Sequence, residues 1–204
     1  AFEGGEIRYG MPAYDGAIEH ITFIGDNIEY ETISGVAPRG ICGSGLIDLL
    51  AELKNSGKMN YLGVLENGLK EFMVAPEYKL SLSSGDISVL AQAKAANYCG
   101  QKIVLRKYGI VPEDVSNMYL AGGFGNYIDV ENAARIGFIA NVKHENIHRV
   151  GNAAIEGASQ MLLSAKLRYQ IEEICKNIEH VELETTEDFF DLFVDGCQFN
   201  PMVM

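Results

Sequence analysis

The 204-residue sequence predicts an α/β fold, and three observations carry that prediction. Residues 17–36 alternate loosely between apolar and polar positions (Ile18, Ile21, Phe23, Ile28, Tyr30, Ile33) around Gly25-Asp26-Asn27, the pattern of a β-hairpin. Two stretches, Pro38–Gly45 and Met118–Gly125, run through closely spaced glycines into a helical period. Helical periods then alternate with short apolar runs to the end of the chain, the order of a mixed α/β packing.

In chain order, residues 1–16 carry Gly4-Gly5, Gly10, Pro12 and Gly16 and read as turns. After the hairpin, Gly43-Ser44-Gly45 opens a helix with Leu46, Leu49, Leu50 and Leu53 on one stripe, ended by Gly57. Ser44 reads as its N-cap, with glycines that permit close packing; the other reading sets N–H groups and a hydroxyl against a phosphate. Phe72–Val74 and Lys79–Leu82 form a small hairpin or extended excursion, and Asp86 caps a long helix that ends at Tyr108-Gly109. A further helix is expected from Asn152 to Tyr169, then one holding Ile171, Ile174 and Ile178, then a short strand over Val181–Glu184. Thr185-Thr-Glu-Asp188 resembles a capping box before Phe189–Phe193, with Gly196 as the stop.

With 16 Lys plus Arg against 28 Asp plus Glu, the net charge is −12. No basic stripe exists for a nucleic-acid backbone, while a basic protein partner is compatible. No apolar run is long enough to span a bilayer, and no secretory leader pattern is present. Cys42, Cys99, Cys175 and Cys197 are far apart and read as small buried residues of a reducing compartment, so a cytoplasmic location is expected.

The chemistry concentrates at Met118–Asn126. Apolar residues run into Gly122-Gly123, Gly125 follows, and Asp129 opens the helical run to Ile136, stopped by Gly137. Strand, glycine turn and helix bring bare backbone and free N–H groups toward an anion, although the same pattern also serves ordinary βα turns. Ile128 stands where a dinucleotide fingerprint needs its third glycine, which excludes a Rossmann site. On the long helix, Lys94 lies one turn from Tyr98 on an otherwise apolar face; either its ammonium snorkels to water or it meets a bound anion or ribose. His144-Glu-Asn-Ile-His148 matches the H-E-x-x-H spacing of zinc peptidases, but it sits in a short polar segment without an apolar face to bury.

Five ordered blocks then extend the comparison: Ala1-Phe-Glu-Gly-Gly, Gly40-Ile-Cys-Gly-Ser-Gly-Leu-Ile-Asp48, Leu90-Ala-Gln-Ala-Lys-Ala-Ala96, Tyr119-Leu-Ala-Gly-Gly-Phe-Gly-Asn-Tyr-Ile-Asp129 and Gly151-Asn-Ala-Ala-Ile-Glu-Gly-Ala158. In that order they resemble the C-terminal part of the reductive activators of corrinoid proteins. These are iron–sulfur ATPases that restore cobalt(I) in B12-dependent methyl transfer. The resemblance implies an actin-like ATPase (ribonuclease-H-like) fold, mostly its second lobe. Residues 17–85 would supply hairpins plus one helix, and 86–204 the helices and strands around an adenosine motif.

It further implies ATP with Mg2+ as cofactors, bound by Gly122, Gly123 and Phe124 with Lys94 and Tyr98 alongside, and Asn152 facing the same cleft. No catalytic residue is assigned. The family's 2Fe-2S domain and first phosphate strand belong to a region of the longer protein outside this sequence. Glu3 lies just beyond the second phosphate strand. The implied partner is a corrinoid protein of a methyltransferase system, with homodimerisation left open. A small-molecule kinase of the same superfamily and a docking module without its own catalysis are the alternatives, with a zinc peptidase the remotest.

Overall fold

Ala17–Ile24 (β1) and Asn27–Thr32 (β2) form the expected antiparallel hairpin, with Ile24 paired to Asn27 across a turn where Gly25 takes φ 63°. The computed structural model describes residues 1–204. Gly40–Ile41 (β3) pairs in parallel with the start of β1, giving the sheet order β2-β1-β3.

From β3 the chain enters Gly43–Asn55 (α1), where ten of thirteen residues are buried, including Leu46, Ile47, Leu49, Leu50 and Leu53. A helix apolar on nearly all sides belongs at the centre of a core, and α1 lies against β1. Its one buried carboxylate is tied down: Asp48 accepts from Ile21 N at 3.3 Å, from His20 Nδ1 at 3.2 Å and from Asn132 Nδ2 at 2.9 Å. Burial nevertheless pushes the Asp48 carboxyl above its ordinary range.

Glu71–Ala75 (β4) and Leu80–Ser83 (β5) make the second hairpin. Ser84–Tyr108 (α2) follows directly. Its cap is Ser83, not Asp86: Ser83 Oγ accepts from Asp86 N at 3.1 Å while Asp86 accepts from Ser83 N at 2.9 Å, a complete capping box. Asp86 also accepts from Arg8 N at 2.9 Å, which fastens the N-terminal turns to this helix. Gly109, at φ 66°, closes α2 as expected.

Met118–Leu120 (β6) leads through Ala121 into Gly122–Tyr127 (α3) and Val130–Arg135 (α4). Asp129 caps α4 through Asn132 N at 2.8 Å. Ile147–Arg149 (β7) pairs in parallel with β6. The expected helix to Tyr169 is broken into Ala153–Leu163 (α5) and Ala165–Cys175 (α6). Ser164 leaves the helical region and its hydroxyl accepts from Leu167 N, so a serine read as helix interior caps a new helix.

No strand forms over Val181–Glu184, where a single 3-10 turn spans Leu183–Thr185. Phe189–Cys197 (α7) crosses α2 and does not start on the predicted Thr185 box. Asp188 stands before it without capping it, because Arg106 takes its carboxylate through two bonds of 2.6 and 2.9 Å. Of the cysteines, Cys42 and Cys99 are buried and Cys197 partly so, but Cys175 is exposed.

Candidate functional site

Two glycine motifs about eighty residues apart in sequence meet at one cavity of roughly 600 Å³. The first turn of α1 supplies Cys42, Gly43 and Ser44, and α3 supplies Gly123, Phe124 and Tyr127, while Phe2, Glu3 and Glu19 complete the polar and aromatic lining. Local sequence explains how each part gets there.

Gly43 is a packing glycine, since a Cβ on it would lie 2.6 Å from Phe124 Cε2 and against the Phe2 carbonyl. Gly45 likewise lies against the Ile18 carbonyl. Ser44 is not the N-cap; Cys42 holds that position without a side-chain bond, and Ser44 sits buried in the first turn with its hydroxyl 3.4 Å from Cys42 Sγ.

The doublet behaves differently. Gly122 takes φ 88°, a conformation that favours glycine. Gly123 has no such backbone reason, and a Cβ on either residue would meet no atom within 4 Å. The doublet therefore faces open space. Gly122 N donates to Gly151 O at 2.6 Å, which sets Asn152 beside it. Asn152 itself is exposed and caps α5, its Oδ1 accepting from Ile155 N at 3.1 Å. Arg149 steadies the far end of α3 by donating to Asn126 O and Ile128 O.

Phe2 and Phe124 line the cavity, and Phe138 packs against both without lining it. Phe124 is 36 % exposed and lies 5.7 Å from Phe138 in an edge-on contact, with Phe2 against Phe138 at 4.9 Å. Such edge contacts leave a ring face available for stacking. Glu19 and Phe138 escape a motif search; the first is a polar position on an alternating strand, and the second follows the Gly137 turn.

Lys94 and Tyr98 do not line this cavity, which corrects the placement expected for them. Lys94 is fully buried, and its ammonium donates to Gly196 O and, at 2.8 Å, to Gln198 O, between the rings of Tyr98 and Phe199 at 5.6 and 5.5 Å. It neither snorkels nor waits for an anion. Burial without a counter-charge lowers its pKa to about 8. Tyr98 packs against Gly196 of α7.

The two histidines of H-E-x-x-H lie on a 3-10 turn, His144–Asn146, and on β7, so they share no helix face. His148 Nε2 is instead 2.7 Å from Asn117 Oδ1. A larger groove of about 820 Å³ runs along α2 beside residues 178–183, and it is mainly apolar. Its amides are already engaged, Asn97 and Gln101 with Phe138 O and Gln101 with Ala140 N.

Comparison with known proteins agrees with this architecture. The family model described as the C-terminal domain of RACo, the ASKHA domain, matches residues 1–204. A solved structure of a reductive activator for corrinoid, iron-sulfur protein superposes with TM-score 0.87 and 33% identity over 98% of this chain and 35% of its own. The corrinoid activation enzyme RamQ of Eubacterium limosum is 32% identical over 228 residues, covering 100% of this chain and 38% of that protein. A [Co(II) methylated amine-specific corrinoid protein] reductase of Methanosarcina barkeri is 26% identical over 157 residues, 76% of this chain and 28% of the reductase. The chain thus spans only 28% to 38% of the length of these relatives, has the actin-like ATPase fold, and belongs to the RACo C-terminal ASKHA-domain family.

Proposed function

We propose that this chain forms the nucleotide-binding wall of a reductive activator of corrinoid proteins. In this reading ATP occupies the cavity between α1 and α3, and its binding is coupled to electron delivery that returns corrinoid cobalt to cobalt(I) for methyl transfer. The observation that carries the reading is Gly123. Neither its backbone nor its neighbours require glycine, yet it borders a cavity with Phe124 and the start of α1. The space a side chain would fill is space for a ligand.

The roles follow from chemistry. Gly122 and Gly123 let the nucleotide approach bare backbone, and Phe124 offers a ring face to a base. The first N–H groups of α1 have no intrahelical acceptor and suit phosphate oxygens. Asn152 stands at the rim next to Gly122. Mg2+ in nucleotide sites is held by one or two carboxylates plus phosphate oxygens, and Glu3 and Glu19 are the carboxylates on this cavity. Bound Mg2+ would neutralise phosphate charge. The four cysteines are dispersed and no cluster of metal-ligating side chains forms, so these residues do not fit a 2Fe-2S centre. The reading therefore assigns that centre to another part of the longer protein. The partner is a corrinoid protein of a methyltransferase system, with the setting cytoplasmic. No helix is long and apolar enough to cross a membrane.

The test is Gly123→Val in the full-length protein. Its side chain enters open space, so the melting temperature and the iron–sulfur absorption should hold while ATP affinity falls at least about tenfold, the weight of one lost contact of ~1.4 kcal/mol. ATP-dependent corrinoid reduction should fall with it. Unchanged ATP affinity in a folded variant would remove the nucleotide from this cavity.

A further inference from the structure

Three polar residues of α2 remain unexplained by the cavity itself. Lys94, Asn97 and Gln101 are spaced i, i+3 and i+7, so they share one face of the helix. Asn97 and Gln101 reach across to the chain that follows α4, and Lys94 reaches the end of α7. Asn97 Nδ2 and Gln101 Nε2 both donate to Phe138 O, at 2.5 and 3.0 Å, and Gln101 Oε1 accepts from Ala140 N at 2.8 Å. Lys94 works one layer deeper. It grips the carbonyls of Gly196 and Gln198, and the tail beyond them places Asn200 O directly under Gly137, a residue at φ 73° that leaves no room for a Cβ. The loop is thus held from above by two amides and from below by the tail that the ammonium anchors. Its Phe138 ring stands perpendicular to Phe124, with the ring centroids 5.7 Å apart.

We propose that Lys94, Asn97 and Gln101 are positioning residues that fix the Gly137–Ala140 loop, so that Phe138 holds Phe124 in register with the nucleotide. The inference rests on the nucleotide reading of the cavity. It gives α2 a part in binding without contact to the ligand. Two side-chain amides bonded to one short loop, with a buried ammonium fastening the tail beneath it, exceed what a connection between α4 and β7 needs for closure. Because Phe138 touches both Phe2 and Phe124, its displacement is felt on two sides of the cavity. The polar side chains are donors and acceptors of fixed geometry, so they set a position, whereas apolar packing alone tolerates shifts.

The experiment uses the full-length protein and a fluorescent ATP analogue. Asn97 is exposed and Gln101 partly so, so the double variant Asn97→Ala with Gln101→Ala should fold. Lys94→Met is the buried counterpart. Arg106→Ala, on the same helix, breaks the pair with Asp188 and serves as a control that lowers stability without touching the loop. The double variant should bind the analogue about tenfold more weakly, the weight of a net hydrogen bond or two. The Arg106 control, compared at equal distance below its melting temperature, should bind as the parent does. If the parent binds and the double variant matches it within twofold, the positioning role is wrong and the cavity reading stands. If the control loses affinity as much as the variants do, the effect is general stability and the proposal also fails. Absence of binding by the parent would sink the cavity reading, and this inference with it.

Discussion

At Lys94 an ammonium without a carboxylate partner is completely enclosed, and its two carbonyl acceptors and two aromatic rings are what make that tolerable. Desolvation lowers its pKa from 10.5 to about 8, with Lys54 acting in the same direction and Cys197 and Cys99 against it. Between pH 8 and 10.5 the unfolded chain keeps this proton and the folded chain has shed it, so Lys94 makes stability rise with pH across that window. The Cys99 and Cys197 thiols, pushed up by burial, oppose it. Urea denaturation of parent and Lys94→Met across that window should therefore show the parent gaining stability relative to the variant as pH rises. Asp48 allows a second measurement. Asp48→Ala leaves Ile21 N–H and the Asn132 amide without their acceptor, and should cost about 3 kcal/mol in the same assay.

Elements differ in how much of them the sequence exposes to a reader. The doublet at Gly122 was legible because strand, glycine and helix are all local signals, and the β1–β2 hairpin because alternation is. Lys94 was recognisable as odd, but its acceptors lie 102 and 104 residues away, beyond any local pattern, so its role had to come from the packing of α7 on α2. At the start of α2 the capping box was present in sequence, yet Asp86 reads as the cap until Ser83 three residues earlier is included. Ser83→Ala should cost this helix about 1 kcal/mol, measured by chemical denaturation, with no effect on the cavity. Ser164 gave no warning of a break, since a serine is neither a strong helix former nor a breaker. The Thr185 box failed because Arg106, on a distant helix, claims Asp188.

For the whole molecule, the core and the periphery are built on different terms. One cluster of 25 buried side chains centred on α1 holds together both hairpins, the start of α2 and α4. By contrast, α5 and α6 contain no buried residue, and Ile155, Leu162 and Leu163 are 64%, 80% and 90% exposed. Apolar side chains left exposed in this way promote association. The isolated 204-residue chain should bind a hydrophobic dye and self-associate in sedimentation experiments. Leu162→Glu with Leu163→Glu should reduce both while altering stability by no more than about 0.5 kcal/mol.

The backbone bond from Gly122 N to Gly151 O stands beside a second, from Val150 N to Leu120 O at 3.0 Å. Together the two bonds tie the corners where β6 and β7 turn into their helices, so the start of α5 and the glycine doublet are joined backbone to backbone. Alanine scanning would pass over such a junction in silence, whereas replacing the Gly122 amide by an ester would remove one of its two bonds and leave the other.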